Sequence, residues 1–430
     1  MNRGLVSSPA LPVTSNAGFG FYPEHNMLPR ICIFVLFGLF IAVDRARSDD
    51  AKQPAFAIEY LAIKKDLDAN WEKISTPLWK EHEEAKSEKD REATMKRIAD
   101  ESNKIHRPAT EKVMSIIRPH AADPAAVDAL IWVAQGSSSD LCNEAAELLR
   151  KHHLTNKQTL KLAYSSKSCP MKWTEPLLCD QLNATDLPIA EKPRILLALA
   201  MVKHTQSKWL SDMAASTDKS DLLKMESLFG KVFIDDLRKM DVSKTEEVAI
   251  QLFTELIEKH GTEKLIDGLT FGGVAKSAIF EMQNLSIGKT APDIVGEDTD
   301  GVKFKLSDYR GKVVVLSFWA TWCGPCMAQV PHEREIVSRL KDKPFVIIGV
   351  NSDDDKKPLK AVMEKEKITW RSFWCGEKGP LSDLPSAWNV TGWPTLYVLD
   401  HKGIIRGKQV YGQSLDRVVD KWIAVAERNE

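Results

Sequence analysis

The spacing of apolar and polar positions changes character along the chain. From about residue 55 to 119 it is helical and heavily charged. Tyr60, Leu61, Ile63, Leu67 and Trp71 trace a rough apolar stripe, continued by Leu78, Trp79, Met95 and Ile98, while residues 80–92 are almost wholly polar. This predicts two long helices in an antiparallel hairpin, ending near Pro108. The charge has the pattern of a solvated helix face. From 123 to 261 the apolar stretches are shorter and denser. Pro124 stands near a helix start, and helices follow at 143–153 and 192–204, the latter with Ile195, Leu196, Leu199 and Val202 on one side. Residues 243–260 give the clearest signal. Ser243 and Glu246 form a capping box, Val248, Leu252 and Leu256 mark one face, and Gly261 stops the helix. Amphipathic helices in succession, separated by short polar breaks, predict a solenoid-like array without a clean sequence period.

After residue 285 the period changes. Val313, Val314, Val315 and Leu316 are continuously apolar, as in a strand buried on both faces, and 345–350 repeats the pattern. Residues 293–296 and 302–306 read as a hairpin, 358–366 as a helix, 370–374 as an aromatic-rich strand or loop, 404–410 as an edge strand and 414–428 as a closing helix. The fold class is α+β multidomain, an all-α N-terminal region followed by an α/β domain. The expected divisions are 1–48, a charged helical hairpin at 49–120, a helical array at 121–280 and the α/β domain at 285–430.

Cys323 and Cys326 sit where the first buried strand gives way to a helix. The unpaired N–H groups and the dipole of a helix N-terminus favour negative charge. A thiolate at Cys323 is therefore stabilised, with its pKa expected to fall from about 8.5 towards about 7. Cys326 lies one turn on, near enough to close a small disulfide ring. The other use of a C-x-x-C pair is half a zinc site. The nearest further ligands, His332 and Cys375, belong to no second pair, so redox chemistry is the expectation and no metal is assigned. Asp353, Asp354 and Asp355 lack the spacing of a calcium loop and fit helix N-terminal acids. Pro331 falls inside the helix after the cysteines and is expected to kink it.

Trp322-Cys323-Gly324-Pro325-Cys326 resembles the active-site motif of the thioredoxin superfamily. A wider window narrows the likeness. Ala291-Pro292-Asp293, residues 297–301 (Glu-Asp-Thr-Asp-Gly), Leu306-Ser307-Asp308, Gly311-Lys312 and residues 318–322 follow in the order of the secreted thiol-disulfide oxidoreductases of the TlpA/ResA type. The likeness spans about 285–430 and implies a thioredoxin fold. It also implies that Pro394 is the cis-proline facing the cysteines, and that the backbone of Trp393 pairs with substrate in β fashion. Trp322, Gly324 and Pro325 complete the implied substrate surface. Thioredoxins carry a buried Asp six residues before the first cysteine, and here that position is Ser317. The resemblance assigns the missing proton acceptor to Glu297, as general base for Cys326, its pKa raised by partial burial.

The net charge of −1 in 430 residues argues against an electrostatic nucleic-acid binder, and no phosphate-binding glycine loop occurs. Residues 31–43 are apolar, with Arg30 before them. Thirteen residues are too few for a membrane span and fit a signal-peptide core. Ala46 and Ser48 offer a cleavage site before Asp49, with Met27 as an alternative start. Export, periplasmic or extracytoplasmic, is the expectation. An uncleaved signal would instead anchor the chain in a membrane. In an oxidising compartment the two cysteines need a delivered thiol reductant. Among the remaining cysteines, Cys169 and Cys179 either bridge or stay free with Cys142, and Cys375 is expected to be a bystander. The histidines, His152, His153 and His204 among them, are expected on helix surfaces.

The functional expectation is an exported oxidoreductase that reduces protein disulfides through Cys323 and Cys326, with that redox-active disulfide in place of any cofactor. A peroxiredoxin-like peroxidase is the enzymatic rival. The rival from another class is a helical scaffold that holds one client for the redox domain.

Overall fold

The computed structural model of the protein describes residues 53–428, apart from 86–87, 137–139, 169, 216–221, 223–224, 227–228 and 267. The expected signal segment lies outside the described residues. The chain divides into two compact units between Pro292 and Asp293.

The first unit opens with α1 (Ala55–Glu84) and α2 (Glu88–Ile117). Phe56 stacks on His120 at 4.5 Å, Trp71 meets His106 edge-on at 5.3 Å, and Glu81 pairs with Arg97 at 2.5 Å. One residue number rises as the other falls, which is an antiparallel register. Pro108 does not end α2, contrary to the pattern. Val113, Met114 and Ile117 beyond it are fully buried, and that burial offsets the hydrogen bond that proline removes. Five helices follow: α3 (Val127–Ala134), α4 (Asp140–His152), α5 (Lys157–Ser165), α6 (Thr174–Asn183) and α7 (Lys192–Ala215). Leu130, Leu149, Leu160, Leu178 and Ile195 join them in one core with the end of α2.

Next, α8 (Lys231–Arg238) packs Ile234 and Leu237 on Trp209 and Phe229. Helices α9 (Val242–His260) and α10 (Phe271–Phe280) bury Phe253, Leu256 and Ala275 against Leu196, Leu197 and Ala200 of α7. A two-stranded ribbon, β1 (Lys264–Ile266) and β2 (Leu269–Thr270), lies between them.

Two further expectations for this unit need correction. The cap of α9 is Asp241, whose carboxylate accepts from the Lys244 N–H at 2.8 Å, and Ser243 lies inside the helix. A carboxylate at that end gains from the helix dipole as well as the hydrogen bond. His153 is buried, and its Nε2–H donates to the Ala121 carbonyl at 2.7 Å. Cys179 is a free thiol, pushed up by burial; Cys169 lies outside the described residues.

The second unit begins with the hairpin of β3 (Val295–Glu297) and β4 (Lys303–Lys305). A five-stranded sheet follows, built from β5 (Val313–Trp319), β6 (Phe345–Asn351), β7 (Ser372–Trp374), β8 (Thr395–Leu399) and β9 (Ile405–Lys408). The spatial order is β7-β6-β5-β8-β9. Strands β5, β6 and β7 run parallel, β8 is antiparallel to β5, and β9 is antiparallel to β8. Every residue of central β5 is buried. Four helices complete the unit: α11 (Gly324–Arg339), α12 (Lys356–Lys365), α13 (Asp383–Ala387) and α14 (Gly412–Glu427). Val313, Val315 and Trp319 share one core with Val330 and Ile336 of α11 and Leu415, Val419 and Ile423 of α14. This is a thioredoxin-type α/β domain. Helix α11 continues through Pro331 to Arg339. The hairpin is fixed to the sheet edge by aromatic stacking. Phe304 stacks on Phe373 at 3.7 Å, and the Arg371 guanidinium lies 3.9 Å over the Phe304 ring while donating to Asp298 at 2.6 Å.

Candidate active site

Strand β5 ends at Trp319, and after four intervening residues α11 begins at Gly324. Cys323 is the N-cap of α11, in extended conformation, and its Sγ accepts from the Cys326 N–H at 3.1 Å. Cys323 and Cys326 are joined as a disulfide with their Cα atoms 5.2 Å apart. Both are buried, whereas the neighbouring Trp322 is 55% exposed. The arrangement gives Cys323 the N–H groups of a helix start as partners for negative charge once the bond opens. Pro325 occupies the first turn, where its missing N–H costs nothing. A Cβ at Gly324 would meet no atom within 4 Å.

The loop carrying Trp322 is held from beneath by Asp353. Its carboxylate accepts from the Thr321 N–H at 2.9 Å and from the Thr321 hydroxyl at 2.6 Å, and Asn351 Nδ2 donates to it at 2.7 Å. Asp355 caps α12, as expected of a helix N-terminal acid, but Asp353 belongs to the motif loop. Sequence reasoning missed this role, because the contact spans 32 residues and two strand ends.

Trp393-Pro394 is a cis peptide bond. The Trp393 indole meets Trp322 edge-on at 5.7 Å and donates to Ser352 Oγ at 3.1 Å. The Pro394 carbonyl accepts from the Tyr411 hydroxyl at 3.0 Å. Trp322 and Trp393 thus form an aromatic wall beside the cysteines. Behind it, Ser352 Oγ lies 3.8 Å from Cys375 Sγ, a free thiol pushed up by burial.

Glu297 ends β3 and is exposed, so the partial burial expected for it is absent. The short hairpin strand turns this side chain to solvent, while the next residue, Asp298, is buried against Arg371. Asp298, Asp353 and Asp400 are buried in this unit, and so is Glu333 on α11, 5% exposed and with no cation paired to it. Its carboxylate lies 3.3 Å from the hydroxyl of Ser317, which donates to it. Loss of hydration pushes Glu333 up to about 7, against a smaller downward effect of that hydrogen bond. Ser317 is the position where the sequence lacks the expected acid. The sequence signal for Glu333 was its seven-residue spacing from Cys326, which puts both on one face of a helix.

No group of three or more His, Cys, Asp or Glu among the described residues is placed to hold a metal ion.

The AhpC/TSA family model matches residues 287–408. Thiol-disulfide oxidoreductase ResA of Geobacillus kaustophilus (strain HTA426) is 33% identical over 126 residues, which is 29% of this chain and 70% of that protein. Thioredoxin-like protein YneN of Bacillus subtilis (strain 168) is 34% identical over 122 residues, 28% of this chain and 68% of that protein. The crystal structure of the thioredoxin domain of a thiol-disulfide oxidoreductase from Bacteroides vulgatus is 30% identical, with 33% of this chain and 99% of that chain covered and a TM-score of 0.31.

Proposed function

We propose, from the premise that this chain belongs to the TlpA/ResA-type branch of the thioredoxin superfamily and is a thiol-disulfide oxidoreductase, that it works as an exported reductase of protein disulfides. The observation that carries this reading is the Cys323–Cys326 disulfide at the start of α11, beside the exposed Trp322 and the cis Trp393-Pro394 bond. In the reduced protein the Cys323 thiolate attacks one sulfur of a client disulfide, and the other client sulfur leaves as a thiolate. Cys326 loses its proton and attacks Cys323 Sγ. The Cys323–Cys326 bond forms, the second client thiolate departs, and the client carries away two electrons. A dithiol reductant then restores the enzyme. The Trp393 backbone and the Trp322 ring line the surface where an extended client strand would lie. Gly-Pro between the cysteines resembles reducing members of the branch, which favours reduction over oxidation.

Export rests on the apolar run at 31–43 and its cleavage site. Among the described residues no helix is long and apolar enough to cross a membrane. A mature N-terminus at Asp49 is the outcome expected of N-terminal sequencing.

Match to the AhpC/TSA model makes peroxide the alternative substrate. In this chain the Thr321 hydroxyl donates to Asp353 and not to Cys323, which weighs against a peroxidase pocket. The test uses the full chain with a generic disulfide substrate. Turnover that disappears in both Cys323→Ser and Cys326→Ser, with a trapped client adduct in Cys326→Ser, supports the reading. Peroxide consumption without disulfide turnover would refute it.

A further inference from the structure

Resolution of the mixed disulfide releases a proton from Cys326 inside a buried site. Three observations bear on this. First, Cys326, Val330, Glu333 and Ile336 form the buried face of α11. Seven residues at 1.5 Å each separate Cys326 from Glu333 by about 10 Å along the helix. Long side chains on a helix lean back towards its N-terminus, so the Glu333 carboxyl is carried towards Cys326.

Second, that carboxyl accepts from Ser317 of β5. In the sheet register Ser317 lies beside Gly349, and Gly349 lies beside Ser372. This row is on the face that bears Val315 and Trp319, the face covered by α11. Third, the row is polar where the rest of the face is apolar. Ser372 Oγ and Trp319 Nε1 are buried without a hydrogen-bond partner, and both crowd the place where a Gly349 side chain would stand, at 2.1 and 2.7 Å. A buried carboxyl is costly unless it has a use or a full set of partners. Glu333 has one partner, a neutral hydroxyl.

We infer that Glu333 is the proton-holding residue of the dithiol: its carboxylate takes up the Cys326 proton as the Cys326 sulfur attacks Cys323 and returns it when the bond is reduced. The inference rests on the reading of Cys326 as the resolving thiol and deepens it. The proton leaves Cys326, resides on Glu333 while the Cys323–Cys326 bond stands and returns to the Cys326 sulfur when a dithiol reductant opens that bond; the departing client thiolates take their protons from solvent, so charge and atoms balance. The upward shift at Glu333 places its proton exchange near neutral pH, the range in which a general base is most effective.

The other charged groups of the packed elements are engaged elsewhere. On α11, Arg334 donates to the Glu366 carbonyl, and His332 lies 3.4 Å from Asp416 of α14. Asp416 also pairs with Arg339, and Tyr411 at the start of α14 bonds the Pro394 carbonyl and Gln409. From β6, Asn351 and the adjacent Asp353 bond each other.

The test reads Cys326 directly and needs no turnover. In the reduced full chain carrying Cys323→Ser, the alkylation rate of Cys326 is followed against pH by peptide-resolved mass spectrometry. The expected profile has two inflections, one near neutral pH. Glu333→Gln keeps the volume and the Ser317 contact, and it should abolish the lower inflection. It should also speed alkylation at pH 8 about tenfold, since an ionised carboxylate opposes the thiolate. Ser317→Ala removes the bond that holds Glu333 down, so it should move the lower inflection to higher pH. A Glu333→Gln profile that superimposes on its parent, or a lower inflection unmoved by Ser317→Ala, overturns the inference. Turnover on a generic disulfide is measured in parallel on protein with both cysteines intact. Its absence would refute the reductase reading while leaving the titration to decide the role of Glu333.

Discussion

Glu333 also sets how the stability of the second unit should depend on pH. The carboxyl has an ordinary value of 4.5 and is pushed up to about 7 in the fold. The folded state therefore binds this proton more tightly than the unfolded chain does. Stability from this group is fully present below 4.5 and is lost as pH rises through 7. A difference of about 2.5 units at 1.36 kcal/mol per unit amounts to about 3 kcal/mol. Glu333→Gln has the same size and no titration. Against the parent protein it should gain about 3 kcal/mol on going from pH 4.5 to pH 8, whatever constant offset the amide introduces. Hydrogen exchange of the β5 and β8 amides in the oxidised full chain isolates this unit from the helical one. The protection ratio of variant to parent should rise by about two orders of magnitude across that range. A ratio that stays flat would refute the argument, because a carboxyl that ionises freely in the fold cannot be the desolvated group described above.

Three further outcomes follow from named contacts. Asp353→Ala removes the acceptor for both Thr321 donors; it should cost about 1–3 kcal/mol and slow disulfide turnover with little change in substrate affinity, measured by denaturant unfolding and by steady-state kinetics. Asp241→Ala should cost about 1 kcal/mol of helical-unit stability while Ser243→Ala costs a few tenths, because only Asp241 caps α9; urea unfolding followed by circular dichroism separates them, and equal losses would restore Ser243 as the cap. Gly349→Ala drives a methyl group into Ser372 Oγ and Trp319 Nε1, with an expected loss of about 1–3 kcal/mol in thermal unfolding.

The sequence by itself determined where the Cys323–Cys326 pair sits. A buried run ending in C-x-x-C at the mouth of a helix has few other physical uses, and the structure joins Cys323 and Cys326 there. It also determined the change of class from helical periods to buried strands, since both patterns are local. Local rules failed where burial outweighed them. Pro108 was read as a stop, but Val113, Met114 and Ile117 carry α2 past it. Ser243 and Glu246 matched a capping box, yet a carboxylate two residues earlier took the cap.

Tertiary structure decided the proton chemistry and the frame of the site. Asp353 reaches Thr321 only because parallel β5 and β6 end side by side. Glu297 and Glu333 are both glutamates within reach of the motif along the chain, and no local pattern says which is desolvated. That depends on which side chain the sheet and helix close over. The hairpin leaves Glu297 in water, whereas α11 presses Glu333 onto Ser317. Burial is a property of the assembled layers, so the acid that holds the proton became visible only when they were packed.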